Sequence, residues 1–241
     1  VDGRAIAAAI RREVQAELKE LSAGHRPPGL AVILVGEDSA SATYVRNKAK
    51  ACQEVGITSV QIHRPATISR EELLDVLHTV NKDETIDGIL VQLPLPAHIG
   101  ERSILEAVDP AKDVDGFHPA NLGGLLTGHP LFVASTPLGI MEVLDRFRVA
   151  IEGRDAVVVG WSTIVGKPIA FLLLHRRATV TVCQKWTRDL ERHTRLADIL
   201  VVAAGQPGLV KGDMVKEGAV VIDVGINRAN GRLVGDVDFP S

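Results

Sequence analysis

Aromatic side chains are scarce: one tyrosine, two tryptophans and five phenylalanines make up 3% of the 241 residues. That scarcity argues against a β-sandwich. The 46% hydrophobic content, rich in Ala, Val, Ile and Leu, suits aliphatic strands covered by helices. Long hydrophobic runs are missing too: no apolar stretch reaches about 18 residues, so no membrane partner is expected. Net charge is -3 with no basic run, which leaves no footprint for nucleic acid. The two cysteines, Cys52 and Cys183, are far apart and neither belongs to a Cys-x-x-Cys pair. Buried thiols in a reducing compartment, the cytoplasm, are expected rather than a disulfide. The eight histidines lack a spacing such as His-x-x-x-His, and no metal is expected. There is no signal-peptide pattern, yet the chain opens on Val1 and stops at Ser241, so native residues beyond either end are expected.

A chain of this length favours one large or two small domains. Helical periodicity covers 5–21, and a continuous apolar run over 30–35, ended by Gly36, reads as a strand buried on both faces. A helix over 39–55, a strand over 57–63, a helix over 69–80 and a strand over 89–92 follow, then a short helix over 103–107. Residues 109–137 read as one long loop, of the kind that is usually functional. Thr136-Pro137 reads as an N-cap and first helical residue, opening a connecting helix over 138–148. Strands over 156–159, 178–183, 199–203 and 219–224, with a helix after Gly166, complete the alternation of a parallel, doubly wound α/β protein.

In such sheets ligands bind beyond the carboxyl ends of the strands, and four polar residues of the first half lie there. Tyr44 and Lys48 share a helix face, so a phenol and an amine enter the same space. A partly exposed face with a snorkelling lysine is the plainer alternative. Gln92 closes a strand before Leu93-Pro94-Leu95-Pro96, and either ties down loop backbone or touches a substrate. Asp115 lies in Lys112-Asp113-Val114-Asp115-Gly116-Phe117-His118-Pro119, where it and Asp113 read equally as turn formers. In the second half Gly160-Trp161-Ser162-Thr163-Ile164-Val165-Gly166 joins a strand to a helix. Its backbone N–H groups could hold a pyrophosphate, or its glycines could pack helix on strand. The next strand ends at Cys183-Gln184-Lys185 with no acid for a ribose 2′-hydroxyl. Lys185 therefore leans towards a 2′-phosphate and NADP, unless it is a solvated charge.

Six stretches in order resemble the bifunctional methylenetetrahydrofolate dehydrogenase/methenyltetrahydrofolate cyclohydrolase family. They are Tyr44-Val45-x-x-Lys48-x-Lys50-Ala51-Cys52, Val91-Gln92-Leu93-Pro94-Leu95-Pro96, the 112–119 loop, Thr136-Pro137-x-Gly139, Ile164-Val165-Gly166-Lys167-Pro168 and Val221-Ile222-Asp223-Val224-Gly225-Ile226-Asn227. The resemblance implies a three-layer α/β folate domain over 1–135, a Rossmann-type domain over 136–241 and a cleft between them. It implies NADP-dependent oxidation of 5,10-methylenetetrahydrofolate to the methenyl form and hydrolysis to 10-formyltetrahydrofolate. On the matching positions Lys48 is catalytic, Tyr44 packs on the folate, Gln92 hydrogen-bonds near the lysine and Asp115 holds the pterin. Gly160, Trp161, Ser162, Ile164, Val165, Gly166, Lys185 and Ile226 are the implied cofactor residues, and a homodimer is implied as well. Trp161 and the Gln184-Lys185-Trp186 segment depart from the family's Arg and His-Ser pattern near the 2′-phosphate, so NAD stays open as an alternative. The family continues past Asp238 into a Pro-Gly-Gly-Val-Gly-Pro segment and a closing helix, which these residues do not include. Two other readings of the residues are a dehydrogenase of another small substrate and a non-catalytic dinucleotide sensor.

Overall fold

The computed structural model describes residues 1–21, 24–37, 39–229 and 231–241, the side chains of 39–42 excepted. The chain divides into two compact units, Val1–Asn121 and Leu122–Ser241. The first carries α1 (Gly3–Leu21), β1 (Gly29–Val35), α2 (Ser39–Val55), β2 (Thr58–Arg64), α3 (Arg70–Lys82), β3 (Gly88–Val91) and α4 (Glu101–Leu105). Its three strands are parallel in the order β2-β1-β3. The central strand must be apolar on both faces, and it is. Ala31 and Ile33 pack with Ile89 and Val91 against Leu73 and Leu77 of α3 and Ile104 of α4. Val32 and Leu90 face the other way, onto Val45 of α2. Full burial of each such side chain contributes about 1.5–3 kcal/mol. The edge strand β2 is a mixture of exposed and half-buried residues, none fully buried. Helix α3 starts where its sequence says it should: Ser69 caps it and exchanges hydrogen bonds with Glu72 in a capping box.

The second unit contains α6 (Ser135–Arg146), β4 (Asp155–Val159), α7 (Gly166–His175), β5 (Thr179–Cys183), α8 (Leu190–Thr194), β6 (Ile199–Val202), β7 (Val220–Asp223) and a hairpin of β8 (Asn227–Ala229) and β9 (Arg232–Val234). Its parallel sheet runs β5-β4-β6-β7. Val158 and Val201 pack with Leu144 of α6 and Ile169 and Leu173 of α7 on one face. Val157, Val159, Leu200 and Val202 form the other. Both thiols are buried and unpaired, Cys52 on α2 and Cys183 at the end of β5.

Three expectations change. Residues 109–137 are not one loop, because α5 (Pro119–Thr127) forms inside them. Two adjacent glycines hide it in the sequence. Gly124 sits there because a Cβ would strike the backbone of His129 and Pro130. Pro119 opens α5, and His118 Nδ1 accepts the Ala120 N–H at 3.0 Å. Helix α6 begins at Ser135 with Ala134 as its N-cap, so Pro137 lies in the first turn, where a missing N–H costs nothing. That helix is also no mere connector, since Ile140, Met141 and Leu144 belong to the core of the second unit. The β8–β9 hairpin is an addition that short polar strands do not announce.

Candidate active site

In each sheet the chain leaves the central strand, adds the next strand on one side and returns to the other. The crevice at such a reversal is where α/β proteins take ligands. In the first unit it lies at the carboxyl ends of β1 and β3. Gln92 directly follows β3, its N–H bonded to Ile33 O at 2.9 Å. Helix α2 follows β1 and carries Tyr44 and Lys48 one turn apart. Lys48 Nζ donates to Gln92 Oε1 at 3.3 Å, while Gln92 Nε2 donates to Leu93 O at 2.8 Å. The amide therefore serves both roles left open for it. Anchored to backbone at one end, it presents its oxygen to the lysine at the other. The Leu93–Pro94 peptide beyond it is cis. Tyr44 is half exposed, at 52%, so its ring is free to take a flat partner.

The two aspartates of the 112–119 loop separate cleanly. Asp113 is buried, and its Oδ2 accepts the His118 N–H and the Asn121 side-chain N–H, each at 2.8 Å. Ile89 N bonds to Lys112 O at 2.6 Å and pairs Asp113 alongside β3, so the loop is fixed to the sheet. Asp113 thus holds the loop. Asp115 has no hydrogen-bond partner among the described residues, and burial pushes its carboxyl up to about 6, with Lys48 pulling it down and Asp113 pushing it up. A half-buried carboxylate beside a lysine, with no partner among the described residues, is equipped to accept N–H groups from a ligand. Lys48 acts the same way on Cys52, whose thiol is raised by burial and lowered by the lysine.

In the second unit a cavity of about 610 Å³ opens at the carboxyl ends of β4, β5 and β6. Gly160, Trp161, Ser162, Gln184, Lys185, Ala203, Ala204 and Gln206 are among its walls. Both loop glycines are explained by close packing. A Cβ on Gly160 would strike Ala203 O, and one on Gly166 would strike Gly160 O. Not every N–H at the helix start is free for a phosphate. Ser162 Oγ accepts from Val165 N at 3.1 Å and Gly166 N at 3.3 Å, and Ser162 O accepts from Lys167 N at 2.9 Å. Among the described residues, the N–H groups of Ser162, Thr163 and Ile164 carry no partner. Lys185 Nζ lies 4.8 Å from the centre of the Trp186 ring, and Lys167 Nζ lies 5.1 Å from that of Trp161. Ile164 and Ile226 are exposed outside the cavity walls. The walls also include Thr187, whose hydroxyl accepts the Gln184 N–H at 2.8 Å and shapes the turn that carries Lys185. Its only signal in sequence is a threonine four residues after a strand end.

This is a two-unit α/β protein with a lysine–amide–carboxylate group in its first half and a nucleotide-sized cavity beside a glycine loop in its second. The catalytic-domain model of Tetrahydrofolate dehydrogenase/cyclohydrolase matches residues 1–115, and the NAD(P)-binding-domain model of the same family matches residues 134–241. A "Bifunctional protein FolD" of Halothermothrix orenii is 59% identical over 241 residues, covering 99% of this chain and 85% of that protein. The crystal structure of the bifunctional enzyme FolD from Campylobacter jejuni is 50% identical, with TM-score 0.96 over 99% of this chain and 86% of that one. The Trypanosoma brucei enzyme, solved with NADP cofactor and inhibitor, is 41% identical, with TM-score 0.93 over 100% of this chain and 85% of that one. The chain belongs to the tetrahydrofolate dehydrogenase/cyclohydrolase family. It is an enzyme, with a dehydrogenase and a cyclohydrolase activity on folate one-carbon units.

Proposed function

We propose that residues 1–135 bind and process the folate while residues 136–241 bind NADP. The chain then oxidises 5,10-methylenetetrahydrofolate to the methenyl form and hydrolyses that to 10-formyltetrahydrofolate. The observation that carries this reading is the Lys48–Gln92 hydrogen bond beside the unsatisfied Asp115. Asp115 accepts two N–H groups of the pterin, Tyr44 stacks on its flat ring, and Gln92 sets the position of Lys48. NADP, when bound, supplies the hydride acceptor. Its place is supported by the cavity, the unpartnered N–H groups of Ser162, Thr163 and Ile164, and the Lys185 cation where β5 ends without an acid. Gly160, Gly166 and Val165 shape the turn behind that loop, and Trp161, Ile164 and Ile226 offer apolar contact.

Oxidation asks little of the side chains beyond holding the methylene carbon in line. Hydrolysis asks more. Water adds to the methenyl carbon and, as its oxygen becomes the formyl C=O, gives up both protons, one to solvent and one to the ring nitrogen whose bond to that carbon breaks. Lys48 is the group placed to carry a proton between these atoms. The working form is a homodimer in the cytoplasm, acting on small molecules and not on nucleic acid. Among the described residues no helix is long and apolar enough to cross a membrane.

Steady-state assay with 5,10-methylenetetrahydrofolate and each nicotinamide cofactor tests the reading. NADP reduction followed by 10-formyl product is expected. Turnover with NAD alone would overturn the cofactor, and no turnover with either would overturn the substrate.

A further inference from the structure

The exits of β6 and β7 are tied together by a carboxylate that plays no part in the chemistry above. Asp236 is fully buried. Its Oδ2 accepts the backbone N–H groups of Ala204 at 2.6 Å and Gly205 at 2.8 Å, and its Oδ1 accepts Asn227 Nδ2 at 2.7 Å. The β8–β9 hairpin pairs Asn227 with Val234 and so returns the chain to deliver Asp236 there. Asp223, the last residue of β7, locks the other side. Its Oδ1 accepts the N–H groups of Gly225 and Asp236, each at 2.9 Å, and its Oδ2 accepts that of Val237 at 3.1 Å. Glycine is required twice in this packing: a Cβ on Gly225 would strike the Asp236 carboxylate, and one on Gly235 would strike the Asp223 carboxylate. One buried carboxylate and one at the exposed end of β7, with six N–H donors between them, form a rigid joint, and the donors held by Asp236 would be stranded away from water if they lost their acceptor.

Of the residues this joint holds, Ala204 lines the cavity, as do Ala203 and Gln206 on either side of the clamped Ala204–Gly205 pair. We propose that Asp236 is a positioning residue for the nicotinamide dinucleotide. By clamping Ala204 and Gly205 to Asn227, it holds the β6 exit in the shape that receives the cofactor. This rests on the reading of that cavity as the dinucleotide site.

The sharpest change is Asp236→Asn, which keeps the volume but leaves one acceptor oxygen for three donors and turns an amide N–H against them. The NADP dissociation constant should rise by roughly tenfold, as for a buried donor left unsatisfied, and the KM for NADP should rise in step while kcat stays nearly level. Hydrolysis of methenyltetrahydrofolate, assayed without dinucleotide, should not move. Asn227→Ala removes one donor of the three and should shift the NADP constant in the same direction by a smaller factor. NADP binding to wild type and both variants is titrated directly by fluorescence. Wild type that fails to bind NADP would sink the cavity assignment and the inference with it. Wild type that binds, with both variants binding equally well, sinks only the role of Asp236. Equal loss of hydrolysis and NADP binding makes Asp236 a general structural residue and overturns the proposal. If Asp236→Asn does not fold, Asn227→Ala decides alone: an unchanged NADP constant overturns the proposal, and a raised one with intact hydrolysis supports it.

Discussion

In both units the central strand has its successor on one side and a later strand on the other, β2-β1-β3 in the first and β5-β4-β6 in the second. Each sheet therefore splits its helices at the carboxyl end of the central strand and leaves a crevice there. What fills that crevice differs. In the first unit it is side chains: an amine, an amide and a carboxylate, with Lys48 held 3.3 Å from Gln92. In the second a glycine loop is drawn so close that a Cβ on Gly160 or Gly166 would collide with backbone, and a cavity of about 610 Å³ opens beside it. One topology thus makes a place, and side-chain chemistry decides whether that place moves protons or cradles a bound molecule. Substitutions in the first unit should change what happens to the folate, and those in the second should change only how the dinucleotide is held.

The largest test of that division is Lys48→Met, which keeps length and removes the ionisable group. Cyclohydrolase activity should fall by roughly 100-fold to 10,000-fold, the range for a lost general acid or base. The dehydrogenase should fall by a smaller factor, since hydride leaves without protein proton transfer. Methenyl product should then build up, visible by absorbance when the variant is given methylene substrate and NADP. Equal loss of both rates would reduce Lys48 to a positioning group, and unchanged hydrolysis would return it to a solvated face. Because Lys48 lowers the Asp115 pKa, the same change should push that carboxyl further up.

Asp115→Asn comes next and has two opposite signs. The carboxylate that accepts pterin N–H groups is lost, so substrate binding and both rates should fall together, by about 2–5 kcal/mol. Stability should move the other way. Asp115 rises from 3.8 to about 6 on folding, which is worth about 3 kcal/mol at 1.36 kcal/mol per pH unit. Between these values the folded protein holds a proton that the unfolded chain has released, so stability falls as pH rises from about 4 to about 6 and is level beyond. The asparagine variant has no such dependence. It should melt higher than wild type at pH 7 and equally at pH 3.5, and wild-type substrate affinity should weaken as pH drops below about 6. Melting curves that stay parallel at both pH values would mean that Asp115 is solvated.

Continuous apolar runs made the buried strands legible: 30–35, 89–91 and 156–159 all lie in strands between helices. Helix interruption by paired glycines is what concealed α5, because propensity counts Gly123 and Gly124 against a helix that tertiary packing permits. At the site, spacing put Tyr44 and Lys48 on one face, but composition and spacing do not separate Asp113 from Asp115, which only the family resemblance told apart. Both sit in the same dense loop, and only the positions of Asn121 and His118 show that one is satisfied and the other is not. Ser162 is similar. The family pattern puts it among the cofactor residues and it lines the cavity, while its hydroxyl accepts two N–H groups of its own turn. Side chains whose partners lie within the fold are the ones whose role a linear reading leaves open.

The smallest effect should come from the second unit, at Lys185. Its ammonium is poised over the Trp186 ring, 4.8 Å from the centre, and lines the cavity at the end of β5. Trp186 is 75% exposed, so the pair is open to solvent and its charge is screened. A 2′-phosphate reaching this cation would gain an exposed ion pair of about 1 kcal/mol, which is roughly fivefold in affinity. Lys185→Ser should therefore raise the NADP dissociation constant by about that factor and leave NAD unchanged, since NAD offers only a hydroxyl there. The NADP effect should shrink as salt is raised from 50 to 500 mM, while Lys48→Met shows no such trend. An equal loss for both cofactors would place Lys185 against the shared part of the dinucleotide, and no loss for either would leave the 2′-phosphate to Lys167, whose ammonium lies over Trp161.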